Sequence, residues 1–461
     1  MYIIFDTETT GLPKNWNLPY TDTDNWPRCI QIAWQLHDDE GKLVEAKDYL
    51  IKPEGFDIPY DAERIHGIST LLAEQEGAPL KDVLNEFNEA LKKSKFVVGQ
   101  NVGFDVNVMG SEFVREALET PMHEMPVLDT CTETTANLCK IPGGRGGKFK
   151  LPTLTELHEY LFNVPFAEAH NATADVEATT RCFFELLRRR IFSTQELEVE
   201  ENYFEQFLKA NPDVIEPVGL KHENLKAKSE ALKEEHSVEE GVSKADIEEG
   251  LAQLEDTSFV HLHNHTQYSV LQSTANIQGL IKKTAEFNMP AVALTDTGNM
   301  MAAFHFEKYI TAHNKGIAAE KAAAEEKGET FNKKEITPII GCEFNICEDH
   351  SNKTLKDNGY QVVLIAKNKR GYHNIAKMSS IAFTQGKYYV PRIDKKVVEQ
   401  YKSDIIVLSG NMYGEIPSKI LNVGEKQAEE ALLWWKDQFD DDFYLELMRH
   451  DQEDERRVNE T

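Results

Sequence analysis

Two stretches of alternating strand-like and helix-like segments dominate the hydrophobic pattern of this 461-residue chain. In the first, MYIIF and CIQIAWQLHD are rich in β-branched and aromatic residues, which favours strands. The segment LKDVLNEFNEALKKS has apolar residues at helical spacing and predicts an amphipathic helix. The pattern therefore predicts an α/β domain over residues 1–190.

A second α/β pattern covers residues 258–461. FVHLHNHTQYSV, ITPIIGCEFNIC, YQVVLIAKN and DIIVLSG read as strands. They alternate with helix-like segments, which predicts parallel β/α units. The sequence ends in ERRVNET, within a helical pattern and without a helix-end signal. We therefore expect this chain to be the N-terminal part of a longer protein, with the second domain incomplete at its C-terminus.

The stretch between the two patterns, residues 191–257, is strongly acidic. Its eighteen Asp and Glu residues against six lysines give −12 of the formal net charge of −28. A segment with so much charge and few large apolar residues buries too little surface to offset its ordering entropy. We interpret it as an acidic, partly helical linker, and expect proteases to cut first between Lys221 and Asp256.

The net charge of −28 argues against a broad basic face that grips duplex DNA. It does not exclude nucleic-acid chemistry in a small site, where bound metal ions outweigh local acids. The six cysteines form no CxxC pair, which favours a reducing compartment. With no run of 18 apolar residues and no secretion signal at the N-terminus, we expect a cytoplasmic protein without a membrane contact.

Four carboxylates of the first domain are candidates for a metal site. Asp6 and Glu8 stand at i and i+2 of a predicted strand and so share one face. An isolated pair of this kind more often marks a solvated strand end, but Asp105 follows the strand-like KFVVG and Asp175 begins a helix. Oxygen ligands are what Mg²⁺ and Mn²⁺ prefer, and four carboxylates can hold two such ions. His170, five residues before Asp175, is a candidate general base.

The segments DTETTG, NVGFD and HNATAD, at residues 6–11, 101–105 and 170–175, resemble the motifs of the DEDD exonucleases of the His-containing subgroup. The resemblance is especially to the epsilon-type proofreading subunits of bacterial DNA polymerase III, and it covers the whole first domain. It implies a ribonuclease-H-like fold with a mixed five-stranded sheet, and 3′→5′ hydrolysis of DNA ends with two Mg²⁺ or Mn²⁺ ions.

The same resemblance assigns roles to individual residues. It implies that Asp6, Glu8, Asp105 and Asp175 are metal ligands and that His170 is the general base. It also implies that five further residues contact the terminal nucleotide: Thr9, Gly11, His66, Asn101 and Phe104.

The second domain contains a further group of candidate ligands, namely His263, His265, Asp296 and Glu343. Imidazoles with carboxylates suit Zn²⁺, Mn²⁺ or iron. FVHLHNHTQYS, ALTDTGNM, IIGCEF and FYLELMRH are similar to segments of the polymerase-and-histidinol-phosphatase (PHP) family, in the form that opens the alpha subunits of bacterial DNA polymerase III. This resemblance implies a β/α barrel, here truncated.

Three departures from the PHP pattern matter for metal binding. Thr297 stands where a histidine is expected, Gln361 replaces a second histidine, and Asn411 replaces a cysteine. The resemblance therefore implies that metal binds weakly here or is absent. We expect a domain kept for packing and contacts, with the alternative of an active phosphoesterase that cleaves, for instance, pyrophosphate.

Together the two resemblances predict the proofreading module of a replicative polymerase III alpha chain. The expected partners are a single-stranded DNA 3′ end or frayed primer terminus, and replisome components such as a polymerase core and a sliding clamp. The alternative is a stand-alone exonuclease for DNA or RNA, because the site itself does not distinguish the two sugars.

Overall fold

The computed structural model describes residues 1–164, 171–220, 223–237, 258–354 and 356–461. The chain divides into two compact units, Met1–Glu240 and Gly241–Thr461. The strands of the first unit are β1 (Tyr2–Thr9), β2 (Cys29–His37), β3 (Leu43–Leu50), β4 (Phe96–Gly99) and β5 (Val127–Asp129). Its α-helices are α1 (Tyr60–His66), α2 (Thr70–Glu76), α3 (Leu80–Lys93), α4 (Gly103–Arg115), α5 (Glu133–Cys139), α6 (Leu154–Phe162), α7 (Ala172–Arg188), α8 (Thr194–Leu197), α9 (Tyr203–Ala210) and α10 (Leu225–Ser237).

The five strands form one mixed sheet in the order β3-β2-β1-β4-β5. β1 and β2 are antiparallel, as are β2 and β3, whereas β4 is parallel to both β1 and β5. This confirms the predicted α/β class and the mixed five-stranded sheet. β1 lies in the centre, so its C-terminal end brings side chains to the middle of the sheet edge.

Alternation along β1 divides the core of the first unit between the two faces of the sheet. Ile3 and Phe5 belong to a cluster with Phe87 of α3, and Ile4 belongs to a second cluster with Phe183 of α7. Successive strand residues point to opposite faces, so one strand supports both clusters. α3 and α7 thereby sandwich the sheet, which fixes β1 rigidly beneath the candidate site.

Part of the predicted linker packs onto the first unit. Phe204 and Phe207 of α9 are buried in the same cluster as Phe183. Further along, Ser229 of α10 donates a hydrogen bond to the carbonyl of Gly67 (2.7 Å). The helical segments at 194–237 are therefore more than a spacer, while the division of the chain into a 1–190 domain and a linker remains a prediction. Residues 238–257 of that linker lie outside the described residues.

The second unit combines a six-stranded sheet with surrounding helices. Its strands are β6 (Ala291–Leu294), β7 (Thr337–Cys347), β8 (Tyr360–Ala366), β9 (Arg392–Asp394), β10 (Ile405–Leu408) and β11 (Phe443–Tyr444). Its α-helices are α11 (Ile277–Glu286), α12 (Ala303–Lys327), α13 (Lys369–Thr384), α14 (Lys395–Tyr401), α15 (Glu415–Asn422), α16 (Glu425–Phe439) and α17 (Glu453–Glu460).

The order of the second sheet is β11-β10-β8-β7-β6, with β9 paired to β7. β6, β7 and β9 run parallel, but β7–β8 and β8–β10 are antiparallel. The expectation of parallel β/α units is therefore only partly right. The connection from Cys347 to Tyr360 contains no helix among its described residues. Parallel neighbouring strands need a long crossover, usually a helix, so β7 and β8 pair in the antiparallel direction.

Candidate active site

The end of β1 carries the first two predicted ligands. Asp6 and Glu8 are partly exposed, whereas Phe5 before them and Thr7 between them are buried. This is the alternation expected of a strand whose one face is packed. Both carboxylates therefore face the same open edge of the sheet, as the sequence predicted.

Asp105 reaches the site from the first turn of α4, and a residue of β1 holds it there. Its Oδ1 accepts hydrogen bonds from the backbone N–H (3.1 Å) and the hydroxyl (2.6 Å) of Thr7. Only 5% of Asp105 is exposed. The sequence analysis missed Thr7, although its position between two candidate ligands was a usable signal.

Asp175 lies in the first turn of α7, whose start is fixed by a side-chain cap and a buried amide. Asn171 accepts from the backbone N–H of Thr173 (3.1 Å). Gln31 of β2 accepts from the backbone N–H of Ala172 (3.3 Å) and donates to Asp48 (2.9 Å). The sequence analysis missed Gln31, although a glutamine within a largely apolar strand was a usable signal of this positioning role.

The acids converge as predicted. One carboxylate oxygen from each of Asp6, Glu8 and Asp175 lies within 4.8 Å of the others. Asp105 lies close enough to this group for its charge to raise the pKa of both Asp6 and Glu8. Thus all four predicted ligands belong to one cluster.

Burial and mutual repulsion make the ionised cluster unfavourable. Burial first, and then the charge of Asp105, raise the pKa of Asp6 well above its usual range. Burial and the charge of Asp175 raise the pKa of Glu8 to about 8. Burial raises the pKa of Asp105 to about 7, although the hydrogen bonds from Thr7 lower it. Clustered carboxylates of this kind need cations to balance them.

The donor set fits hard divalent cations. Every predicted ligand offers carboxylate oxygen, and the described residues of the cluster contain no thiolate or imidazole. Mg²⁺ and Mn²⁺ prefer oxygen ligands, whereas zinc and copper favour nitrogen and sulfur. The arrangement can therefore hold metal ions beside a phosphate group.

Three of the predicted nucleotide contacts lie in or beside turns, Thr9 and Gly11 at the end of β1 and Asn101 after β4. The hydroxyl of Thr9 donates to the carbonyl of Gly11 (2.8 Å), where the chain leaves β1. Gly11 has a φ of +144°, and a Cβ there would meet no atom within 4 Å, so the surroundings are open. Asn101 adopts a φ of +57° and donates its N–H to Asp129 (2.8 Å), which shapes the turn into α4.

The other two predicted contacts differ in exposure. His66 ends α1 and is buried, and its Nδ1 accepts from the backbone N–H of Ile68 (3.0 Å). Phe104 is half-buried, with ring centroids 5.8 Å from Trp16 and 6.4 Å from Trp26. Trp16 is 57% exposed and was not predicted. An aromatic ring in a loop rich in Pro and Asn was the available signal. His170, the predicted general base, lies outside the described residues.

The second predicted ligand group also assembles, but around a balanced carboxylate. Glu343 is fully buried on β7 and contacts His263 (3.1 Å) and His265 (3.4 Å). Burial lowers the pKa of His263, but hydrogen bonds to Glu343 and Glu446 outweigh it and raise that pKa to about 9. Burial raises the pKa of Glu343, yet the bonds from both histidines lower it to about 2. Glu446, which contacts His263 at 2.8 Å, was not predicted.

The residues that replace expected ligands complete this network. The hydroxyl of Thr297 donates to Glu343 (2.8 Å), and the amide of Asn411 donates to Glu343 (3.3 Å) and to Gln361 (2.8 Å). A hydroxyl and two amides are poor ligands for a transition metal. Glu343 therefore receives its hydrogen bonds from protein groups.

Asp296 receives its hydrogen bonds from Thr266 and Ser269, which are not among the predicted ligands of this group. Its two oxygens accept from the backbone N–H (2.6 Å) and hydroxyl (2.7 Å) of Thr266 and from the hydroxyl of Ser269 (2.7 Å). It is 1% exposed. These contacts support a structural role, and the residues present do not fit a multinuclear metal site.

Two family matches cover most of the two units. Residues 3–183 match the family described as Exonuclease, and residues 261–450 match the family described as PHP domain. Among the described residues, we find no helix with the length and apolar character needed to cross a membrane.

Curated relatives extend these matches. DNA polymerase III subunit alpha of Borreliella burgdorferi is 38% identical over 206 residues, which are 44% of this chain and 16% of the relative. The subunit alpha of Chlamydia muridarum is 34% identical over 203 residues, 43% of this chain and 15% of the relative. The chain thus spans about one sixth of the length of these relatives.

Among solved structures, E. coli Exonuclease I in complex with a dT13 oligonucleotide is 22% identical, with 43% of this chain and 42% of that chain covered and a TM-score of 0.34. That likeness is too low to support a functional argument. The two family matches, however, fall on separate parts of the chain, and the two curated relatives are both DNA polymerase III alpha subunits. The chain therefore joins a region of the Exonuclease family, residues 3–183, to a region of the PHP domain family, residues 261–450, and under half of its length is similar to DNA polymerase III alpha subunits.

Proposed function

We propose that the first unit is a 3′→5′ exonuclease that removes nucleotides from DNA ends. The observation that carries the proposal is the convergence of Asp6, Glu8, Asp105 and Asp175 at the end of β1, where their ionised forms need cations. We assign two Mg²⁺ or Mn²⁺ ions to these ligands. When bound, such ions activate a water molecule and stabilise the leaving oxygen of a phosphodiester.

His170 takes the proton of the attacking water in this proposal. It directly precedes Asn171, the cap of α7, and Asp175 lies in the first turn of that helix. A neutral imidazole with an ordinary pKa near ~6.5 is well matched to proton removal at neutral pH. The cap thus fixes the start of the helix that carries the proposed ligand Asp175.

Thr9 and Gly11 offer an open turn at the end of β1 to the terminal sugar and phosphate in this proposal. We assign His66 and Asn101 to further contacts with the same nucleotide. Phe104, together with the exposed ring of Trp16, offers an aromatic surface to an unpaired base. Stacking of this kind tolerates any base sequence, which a proofreading enzyme requires.

In its whole-protein context, we infer that this exonuclease proofreads for a polymerase III alpha chain in the bacterial cytoplasm. The support is the fusion of an exonuclease domain to a PHP domain that is homologous to alpha subunits. The intact product would then also be a DNA-directed DNA polymerase, and its partners would include the polymerase core and a sliding clamp. Fusion raises the effective concentration of the proofreader near a primer terminus.

We assign a scaffold role to the PHP domain. The support is the network that satisfies Glu343 with Thr297 and Asn411 in place of metal ligands. The alternative of an active phosphoesterase requires a firmly held cluster that lowers the pKa of a bound water. The present donors do not fit that requirement.

The test of the proposal is the direction and sugar preference of digestion. The purified chain, with Mg²⁺, is given a single strand labelled at its 5′ end, and the products should form a ladder that shortens from the 3′ end. The variant Asp175→Asn should form no ladder, whereas Asp82→Asn, a change at an exposed acid of α3, should leave it intact. Release of a short labelled 5′ fragment as the first product would contradict the proposal. Faster digestion of an RNA strand would favour the alternative substrate.

A further inference from the structure

A cavity of about 510 Å³ opens beside the network around Glu343 in the second unit. Thr297 and Gln361, two of the residues that replace expected metal ligands, line it. This volume lies within the range of small-molecule sites. The cavity is therefore large enough for a small ligand and adjoins the place where metal ligands are missing.

The lining of this cavity is uncharged. None of the fifteen described residues that line it is Asp, Glu, Lys, Arg or His, in a chain of which 28% is Asp, Glu, Lys or Arg. Two carboxylates lie directly behind the lining: Glu343, 2.8 Å from the hydroxyl of Thr297, and Asp296, 2.7 Å from the hydroxyl of Ser269. A phosphate group here would lose solvation without meeting a cation. The cavity thus favours a neutral ligand.

Carboxamides supply the polar part of the lining. One end of the Gln272 amide lies 2.6 Å from the hydroxyl of Thr297, and one end of the Gln361 amide accepts from Asn411 (2.8 Å). Asn345 donates to the carbonyl of Pro391 (3.1 Å). Since each of these amides has a donor end and an acceptor end, the bonds described here leave the second end of each for a ligand.

Aromatic rings supply the apolar part. Tyr413 is 71% exposed and Phe383 is 42% exposed at the cavity, and Tyr268 also lines it. Exposed rings beside hydrogen-bonding amides suit a flat ligand that offers a π-face and a polar edge. A sugar offers a polar edge but no π-face.

The wall that carries Asn358 is held in place by a buried arginine. Arg392 is 1% exposed and donates to the carbonyls of Asp357 (2.6 Å) and Asn352 (2.8 Å). Asp357 accepts from the backbone N–H of Gly359 (2.8 Å), which has a φ of +74°. Preorganisation of this kind lowers the entropic cost of binding.

We propose that this cavity is a binding site for a neutral nucleobase, held by stacking on Tyr413 and Phe383 and by hydrogen bonds to Gln272, Asn345 and Gln361. The amides recognise the edge of the base, and the uncharged lining leaves the sugar and any phosphate outside. The ligand is either a free deoxynucleoside or an unpaired base of a DNA strand, which share this chemistry.

The experiment is a titration of the full chain in EDTA, which removes cations from the first unit. The probes are the four deoxynucleosides, their monophosphates, a tetranucleotide, inorganic phosphate, pyrophosphate and glucose. Binding of each probe is monitored by ligand-detected NMR. We expect Tyr413→Ala to weaken deoxynucleoside binding at least about fivefold, because stacking on one ring is lost, and Tyr413→Phe to restore it. Phe287→Ala is the matched control, since Phe287 is 67% exposed in the same unit but does not line the cavity.

The outcomes separate the possible ligands. Tighter binding of the tetranucleotide than of deoxynucleosides, with the same loss on Tyr413→Ala, assigns the site to a strand; equal binding assigns it to the free nucleoside. Binding that Tyr413→Ala leaves unchanged would overturn the proposal. So would preferential binding of inorganic phosphate or pyrophosphate, or equal binding of glucose.

Discussion

The two candidate metal sites of this chain both contain buried or partly buried carboxylates but balance their charge in opposite ways. In the first, burial and neighbouring acids raise the pKa values of Asp6 and Glu8, so the ionised site lacks positive charge. In the second, contacts with His263 and His265 lower the pKa of Glu343 to about 2. The first arrangement is incomplete without cations, whereas the second is electrostatically complete.

This difference provides a physical criterion for a retained metal site. Acids that repel each other in a folded core lower stability unless a ligand compensates for them. Acids that receive hydrogen bonds from Thr297 and Asn411 stabilise the fold by themselves. Among the described residues, both the group Asp6, Glu8 and Asp175 and the group His263, His265 and Glu343 could hold an ion, and the direction of the pKa shift distinguishes how each group balances its charge.

The largest expected effect comes from removing one acid of the first site. Asp6→Asn should lower Mg²⁺-dependent digestion of a DNA 3′ end by at least about 10³-fold, because several kcal/mol of transition-state stabilisation by metal are lost. In EDTA the same variant should unfold at a higher denaturant concentration than the wild type, because a repelled buried charge is gone. Both quantities are measured on one preparation.

Activity and metal-free stability together test the electrostatic account of the first site. A variant that loses both activity and metal-free stability has been damaged structurally, and the electrostatic account of the first site would then be wrong. The control Asp82→Asn removes an exposed acid of α3 and should change neither quantity.

The next effect concerns the proposed base. His170→Gln should reduce the rate by ~10²–10⁴ while leaving Mn²⁺ affinity near that of the wild type. His305→Gln, at an exposed histidine of α12, is the control. A parallel loss of metal affinity would make His170 a ligand.

Local sequence pattern was sufficient for much of the first site. The alternation of IIFDTET along β1 determines both the buried face and the shared side of Asp6 and Glu8. The spacing placed Asp105 directly after β4 and Asp175 at the start of α7, and the structure shows that Asp105 also lies in the first turn of a helix. These features depend on short-range periodicity, which a sequence displays directly.

Long-range contacts were not predictable in the same way. Asp296 was expected among the metal ligands, but its bonds to Thr266 and Ser269 depend on how a distant loop folds back. The charged helix α10 was expected to be linker, yet Leu225 and Ser229 form a buried stripe against the first unit. The net charge of such a helix comes from its solvent-facing side. It therefore gives no indication of the narrow apolar side that packs against the unit.

A smaller effect tests the second site. Glu343→Gln should lower the free energy of unfolding of the second unit by about 1–3 kcal/mol, because charge-assisted hydrogen bonds to buried groups are lost. Exonuclease activity and the amount of bound Mn²⁺ should stay unchanged. Denaturant unfolding followed beside Glu325→Gln, at an exposed acid of α12, measures this. Loss of a bound metal equivalent would show that the second site is a metal site after all.

The smallest expected effect is a difference in pH dependence between the units without metal. Glu8 has a pKa of about 8 and Asp105 of about 7 in the folded chain, above their ordinary values of 4.5 and 3.8. The folded first unit therefore favours the protonated acids, and its stability should fall as pH rises from about 5 to 7.5. His263, raised to about 9, stabilises the second unit fully below its ordinary value of 6.5 and loses this effect as pH rises through 9. Glu343, lowered to about 2, contributes above 4.5 and loses its effect as pH falls toward 2.

Calorimetry in EDTA between pH 5 and 7.5 should consequently show one transition that moves down by several degrees, since 1 kcal/mol corresponds to about 2–4 °C for a unit of this size. The other transition should stay nearly constant to about pH 6.5 and then decline only as His263 begins to lose its advantage. Asp6→Asn should flatten the moving transition, which assigns it to the first unit, and saturating Mn²⁺ should raise it most at the upper end of the range. Equal slopes for both transitions would mean that the two sites balance their charge alike, and the contrast between a cation-dependent and a self-sufficient cluster would have to be abandoned.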